Sequence, residues 1–445
     1  MDYSREYEQK LITAKKAASL VKDGYKIDLG FGVNFSVAVE AELAKRVDEL
    51  KDVIVYGSIA VRKPKIFDAD PEGQVFTWNS WHTLGYERAK VGHGLFYAPI
   101  RYSELPRYYR ENVKHIDMAI IPVTRMDKHG YFNFGMTASH LRAIFDVADV
   151  IVLEVNKNIP RALGGFETDI HISEVDYLVE ADFEIPTVGK GSFTETDLKI
   201  AKYVVDEISD GSCLQLGIGA TPNAIGAVIA DSDLKDLGVH TEMYVDAFVD
   251  MAKRGKVTGL RKNIDKGRQA FAFALGSQEM YDYIDDNPEM MAVPVSYING
   301  SKQVAALDKF MSINSAVNVN LWGEISSESS GTRHISGAGG QLDFVIGAYE
   351  SNGGKTFICI TSKYFDKKAG KEISRIVPVF DQGTIVTCTR PNTQYIVTEY
   401  GIFNTKGKSA WERAEGIINL AAPEFRDELI KEAQKMNMWR NSNKR

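Results

Sequence analysis

The sequence predicts an α/β protein of two similar domains, each an open, mostly parallel sheet flanked by helices, with the active site at the domain interface. Three observations predict it. A strand, glycine turn and helix pattern occurs twice, strand-sized apolar runs recur between helical stretches, and 445 residues exceed one ordinary core.

The first residues, MDYSREYEQKLITAKKAASLVKDG, carry charges at helical spacing and lack the apolar centre of a signal peptide. The first copy of the repeat follows as DGYKIDLGFG, Asp23 to Gly32, with NFSVAVEAELAKRV expected as its helix and LKDVIVYGS, Leu50 to Ser58, as the next parallel strand. The second copy reads DGSCLQLGIG, Asp210 to Gly219, then ATPNAIGAVIA as helix and LKDLGVHTE, Leu234 to Glu242, as strand. IDMAIIPV, VADVIVLEV and DFVIGAYES are expected as further buried strands. A polar stretch, PTVGKGSFTE from Pro186 to Glu195, precedes the helical pattern TDLKIAKYVVDEI. The boundary therefore falls near residue 190, with an N-terminal domain over 1–189 and a C-terminal domain over 190–445 that carries Glu242.

Composition excludes several classes. With 44% apolar and 25% charged residues and no biased segment, the chain is expected to fold almost end to end. A formal charge of −7 argues against nucleic acid as a partner, since phosphate backbones require a surplus of Lys and Arg. No apolar run reaches the roughly 18 residues that cross a bilayer. Cys213, Cys359 and Cys388 sit in apolar segments without a CxxC pair, so a reducing cytoplasm is expected and a thiolate metal site is not. The eight histidines form no HxH, HExxH or His-Cys pair, and no metal is expected. GxSxG, a complete GxGxxG and a P-loop are missing, so a hydrolase triad, a nicotinamide dinucleotide and ATP lack support.

Three features carry chemistry. Gly217-Ile218-Gly219-Ala220-Thr221 is a glycine turn opening a helix, where free amides meet anions or carbonyl oxygens, although such a turn often serves the backbone alone. Ser336-Gly337-Ala338-Gly339-Gly340 packs three glycines into four residues, an entropically costly run that suits a left-handed backbone or close approach of a ligand such as a thioester. Glu242 follows a short apolar strand, at the place where the first copy holds Ser58. A glutamate at a strand end is by default a solvated residue, and Glu399 in VTEYG is a second candidate of the same kind. The aromatic segments NSWH and YFNFG are candidates for an acyl pocket, with core packing the commoner role for such rings.

LQLGIGATPNAI, LGVHTEMYVDAFVD, ISGAGGQLDFV and YIVTEYGIFNTKGKS resemble the signatures of the acetyl-CoA hydrolase/transferase family, the class I CoA-transferases. The resemblance extends from RYSELPRYYRE and DKHGYFNFGMTASH to APEFRDELIKEA, nearly the whole chain, and is nearest to the butyryl-CoA:acetate type, with the 4-hydroxybutyrate type next. It implies a CoA-transferase-like fold and a cytoplasmic homodimer or homotetramer of short-chain fatty acid fermentation, with acyl-CoA and a short-chain carboxylate as substrates and no cofactor. An acyl-CoA hydrolase shares the same implied site. The resemblance also implies that Glu242 is the nucleophile, forming a γ-glutamyl-CoA thioester, and that Gly217, Ile218, Gly219, Ala220, Thr221, Val317, Gly340 and Lys363 contact CoA. Ala220 and Thr221 depart from the Gly and Met of many butyryl-type members, and Phe31–Val37 departs as well, which leaves acyl-chain preference open.

Overall fold

The computed structural model describes residues 3–440. In chain order the elements that frame the site begin with β1 (Lys26–Phe31), α1 (Ala38–Ala44), β2 (Val53–Ser58), β3 (Phe76–Ser80), β4 (Leu95–Tyr97), β5 (Ile116–Val123), β6 (Ala148–Asn156) and β7 (Tyr177–Ala181). Next come α2 (Glu195–Val205), β8 (Cys213–Leu216), α3 (Ala220–Asp231), β9 (Gly238–Tyr244), β10 (Gln269–Ala274) and β11 (Met290–Ala292). The last are β12 (Phe310–Ser315), α4 (Gln341–Glu350), β13 (Lys355–Cys359), β14 (Tyr395–Thr398) and β15 (Gly401–Asn404).

Two compact units result. One comprises Met1–Gly189, Glu242–Tyr244 and Gln269–Ile298, the other Lys190–Thr241, Val245–Arg268 and Asn299–Arg445. The chain first leaves the first unit after Gly189, and then re-enters it twice. Glu242, expected in the C-terminal domain, groups with the first unit, at the residue where β9 passes from one unit to the other.

In the first unit the parallel order is β7-β6-β5-β1-β2-β3-β4, with Asn34–Phe35 folded back antiparallel on β1. Strands buried on both faces need continuous apolar sequence, and Ile27, Leu29, Val53, Val55, Met118, Ile120 and Val152 supply this core with Trp78. Within the second unit the order is β9-β8-β12-β13-β14-β15, parallel except for the last pair. Its core gathers Val345, Ile358, Ile396, Ile417 and Ile418. Both sheets have a point where the strand order reverses, between β1 and β5 and between β8 and β12, and such points open crevices at the carboxyl ends of strands.

The repeat is a repeat of backbone. Gly24 and Gly211 donate to Lys51 O and Lys235 O at 3.0 and 3.1 Å, and Lys51 and Lys235 donate to Asp23 and Asp210 side chains at 2.9 and 3.1 Å. Asp52 and Asp236 both adopt φ of 55°, and the register Lys26↔Ile54 recurs as Cys213↔Gly238. Identical turn chemistry thus fixes identical strand pairing.

One expected strand is corrected. DFVIGAYES belongs to helix α4, which buries Phe344, Val345, Gly347 and Ala348. A short continuous apolar run carries no period that separates a buried strand from a buried helix, and Val304 so crowds the Cα of Gly347 that a helix can pack there only with glycine. The helix expected from NFSVAVEAELAKRV begins only at Ala38, because Asn34 and Phe35 turn back onto β1. No helix among the described residues is long and apolar enough to cross a membrane.

Candidate active site

Glu242 lies in the last turn of pleat of β9 and is half-buried, while His240 and Thr241 before it are buried. Leu275 N–H donates to Tyr244 O at 3.3 Å, and the Tyr244 hydroxyl donates to Gln269 Oε1 at 2.7 Å, so this end of β9 is fastened to β10 within the first unit. Phe273 of β10 meets Phe31 edge-on at 5.1 Å and Tyr102 at 6.1 Å between ring centroids, and Phe31 stacks on Tyr102 at 5.7 Å. Behind them Trp81, Tyr109 and His140 pack ring against ring at 5.3 to 5.6 Å. These five aromatic residues and His140 are all buried.

Polar groups run through this aromatic wall. Tyr102 OH and Ser139 Oγ lie 2.5 Å apart, Ser139 Oγ and His140 Nδ1 2.9 Å apart. The Tyr109 hydroxyl donates to Asp28 Oδ2 at 2.6 Å, and Gly30 N–H donates to Oδ1 at 2.9 Å. Burial pushes the Asp28 carboxyl up to about 7, against the lowering effect of those two bonds. Burial also drives His140 down to about 3, so its imidazole is neutral, and holds the Tyr102 hydroxyl well above its ordinary value, with the charge of Glu242 adding to that rise. None of these groups was singled out from sequence. Tyr102 lies in RYSELPRYYRE and Ser139-His140 in DKHGYFNFGMTASH, but no spacing links two segments 37 residues apart.

The rival Glu399 is engaged structurally. Its two carboxylate oxygens accept from Ser362, the backbone N–H at 2.9 Å and the hydroxyl at 2.6 Å, so it braces the turn after β13.

The second unit gathers the remaining site residues except one around the crevice between β8 and β12. Gly217 N–H donates to Ile313 O at 2.9 Å, and the turn then runs out into solvent with Ile218, Gly219 and Ala220 exposed. Gly219, at φ 117°, is the residue before α3. Thr221 is buried and its hydroxyl donates to Asp197 Oδ1 at 2.7 Å, tying α3 to α2. Gly340 precedes α4, whose Gln341 Nε2 donates to Ser315 O at 2.9 Å at the end of β12. Of the three clustered glycines, Gly339 has a left-handed φ of 54°. Val317 uses both backbone groups, donating to Ser326 O at 2.8 Å and accepting from Arg375 Nη1 at 3.2 Å. Lys363 stands apart, beyond β13, with its ammonium 2.6 Å from Glu424.

Elsewhere, the His115 ring lies between Asp117 at 3.2 Å and Asp149 at 3.6 Å at the amino ends of β5 and β6. A groove of about 610 Å³ at the carboxyl ends of β5, β6 and β7 is lined by Tyr7, Arg125, Lys157 and Glu180, and holds none of the residues expected at the site. The three cysteines are buried and free.

The acetyl-CoA hydrolase/transferase N-terminal domain matches residues 1–188 and the C-terminal domain of the same family matches 276–433. Butyryl-CoA:acetate CoA-transferase of Anaerostipes caccae is 55% identical over the full length of both chains. RipA from Yersinia pestis superposes with a TM-score of 0.91 at 36% identity, covering 98% of this chain and 100% of its own. The 4-hydroxybutyrate CoA-transferase of Porphyromonas gingivalis superposes with a TM-score of 0.78 at 27% identity over 98% of this chain and 100% of its own. A duplicated α/β backbone, matches to both domains of one family in the right order and full-length similarity lead to one assignment: the chain belongs to the acetyl-CoA hydrolase/transferase family.

Proposed function

We propose that this chain is a cytoplasmic CoA-transferase that exchanges CoA between butyryl-CoA and acetate through a γ-glutamyl-CoA thioester on Glu242. The observation that carries the reading is the half-buried carboxylate of Glu242 at the end of β9, set beside a buried aromatic wall suited to a short acyl chain. The 55% identity to an enzyme of that specificity supports the choice of substrates.

In this reaction the Glu242 carboxylate adds to the thioester carbonyl, the C–S bond breaks, and an acyl-glutamyl anhydride and CoA thiolate form. The thiolate then adds to the γ-carbonyl of Glu242 and the anhydride C–O bond breaks, releasing butyrate and leaving γ-glutamyl-CoA. Acetate repeats the two steps in reverse and regenerates the free carboxylate. One thioester replaces another, so neither metal nor nucleotide is needed as cofactor. Gly217 to Thr221, Val317 and Gly340 are assigned to CoA, the open amides of the first turn and the α3 amino terminus suiting its phosphates. Lys363 joins them only if a phosphate displaces Glu424. A homodimer or homotetramer is the assembly proposed.

The test is incubation with butyryl-CoA, borohydride reduction and peptide mass analysis, followed by an exchange assay with and without acetate. A reduced residue at Glu242 and acetate-dependent formation of acetyl-CoA are expected. A modified peptide bearing Glu399 would refute the nucleophile, and CoA release indifferent to acetate would indicate a hydrolase.

A further inference from the structure

We propose that Tyr102 is a positioning residue for Glu242, with its hydroxyl proton aimed by a relay through Ser139 to His140. The proposal rests on Glu242 being the nucleophile.

The geometry comes from two independent sides. On the sheet side, the bond from Leu275 N–H to Tyr244 O at 3.3 Å ties the end of β9 to the chain just past β10, and the charge of Glu242 reaches the Tyr102 hydroxyl, adding to its rise. Side chains alternate along a strand, so Glu242 shares a face with Tyr244, whose ring lies 5.6 Å from Phe271, and hence with Phe273, which is in contact with Tyr102. On the other side, Tyr102, Ser139 and His140 form an unbroken buried line of 2.5 and 2.9 Å contacts. Ser139 is held at φ 34°, a left-handed backbone that serine rarely adopts. It is clamped there by its N–H to Ala272 O at 3.0 Å and by Val295 N–H to its own carbonyl at 2.8 Å. Backbone strain kept this firmly marks a side chain whose direction matters.

Neutral His140 decides which way the protons run. With the proton on Nδ1, His140 donates to Ser139, Ser139 donates to the Tyr102 oxygen, and the Tyr102 O–H is left to point at Glu242. With the proton on Nε2 the line reverses and Tyr102 turns a lone pair toward the carboxylate. A negative Glu242 favours the first arrangement, and among the described residues His140 Nε2 has no hydrogen-bond partner that would favour the second. The relay therefore offers Glu242 one donor while it is charged, fixing the carboxylate for attack.

Rates of glutamyl-CoA formation and of acyl exchange, measured with butyryl-CoA and acetate on Y102F, S139A, H140A and H140N, test this. Y102F should slow adduct formation by roughly 10- to 100-fold, the value of one hydrogen bond to a charged group, with KM for butyryl-CoA within about threefold of the parent. S139A and H140A should lose less, and H140N, whose amide nitrogen stands where Nδ1 does, should recover most of the H140A loss. Adduct formation in Y102F at the parental rate overturns the proposal, as does a KM increase that accounts for the whole loss or an H140N variant as slow as H140A. Were the parent enzyme to form no adduct at Glu242, the nucleophile reading itself would fall, an outcome distinct from a normal parent with an unimpaired Y102F.

Discussion

At the end of β1 the turn Gly30-Phe31-Gly32 is buried throughout, whereas at the matching end of β8 the turn Gly217-Ile218-Gly219 is open, with Ile218 52% exposed. The two backbones enter these turns alike, through the same Asp-Gly hydrogen bonds and the same strand register. They part at the reversal point of each sheet. In the first unit Asn34 and Phe35 fold back on β1, and Asn34 Nδ2 donates to Pro122 O at 2.8 Å and Phe134 O at 2.7 Å, plugging the crevice. In the second unit the chain goes directly from the turn into α3. The same contrast recurs inside the strands. Asp28 corresponds to Gln215, which forms a neutral ladder with Ser312 and Asn314 at 3.0 and 3.4 Å. Ser58, buried and bonded to His82 O at 2.6 Å, corresponds to Glu242. The duplicated scaffold thus plugs one crevice with its own chain, while the matching turn of the other copy is exposed.

The sharpest way to break this comparison is at Ser58 and Glu242. E242A should lower acyl exchange by at least about 10⁴-fold, since a covalent route has no substitute for its nucleophile. E399A should retain exchange and instead lower stability by about 1–3 kcal/mol, because Ser362 is left without its acceptor. Exchange assays beside thermal melts separate the two, and a catalytically dead E399A with a parental Tm would reverse the assignment.

The two turns should respond differently to a methyl group. G30A drives a Cβ into the Asn34 carbonyl at a φ of 89°, so a loss of more than about 2 kcal/mol in stability is expected. G219A meets nothing within 4 Å and has only its φ of 117° against it, so its stability should fall by about 1 kcal/mol while KM for acyl-CoA rises. Urea unfolding and steady-state kinetics of both variants check this. Equal stability losses would mean that the second turn is as structural as the first.

Asp28 gives a pH test. Its pKa in the fold, about 7, exceeds the ordinary 3.8, so between those values the folded chain keeps a proton that the unfolded chain has released. Its contribution is therefore full below pH 4 and lost progressively as pH rises to 7, on the order of 4 kcal/mol in all. D28N, which copies the amide of Gln215, should have a higher Tm than the parent at pH 8, and the difference should vanish toward pH 4. A pH-independent difference would show that Asp28 ionises freely in the fold.

T221V removes the hydroxyl that ties α3 to Asp197 and should produce the smallest effect, about 1 kcal/mol in stability and a KM for acyl-CoA raised a few-fold. An unchanged KM would detach this residue from CoA.

Much of the scaffold is legible in sequence because its signals are local. An Asp-Gly turn before an apolar run dictates strand starts in both copies, and the boundary at 189/190 coincides with a polar stretch before the amphipathic α2. Glu242 and the two glycine segments are legible because they lie in short motifs that resemble the family's signatures. What escaped were side chains whose roles depend on neighbours distant in sequence. Asp28 reads as one polar residue within a strand until Tyr109, 81 residues away, is brought to it. Ser139-His140 reads as an unremarkable dipeptide until Tyr102 lies against it. DFVIGAYES became a helix because a continuous apolar run leaves the choice to its surroundings.

By itself, then, the sequence determined the α/β class, the duplicated strand-turn-helix unit, the family and the carboxylate at the end of β9, since turn chemistry, periodicity and motif order act over a few residues. Tertiary structure alone decided which crevice is plugged, that Glu399 is held by Ser362 while Glu242 lies by an aromatic wall, and how Tyr102, Ser139 and His140 line up. Burial and hydrogen-bond partnership are properties of the packed chain, and they set the charge and direction of each of these groups.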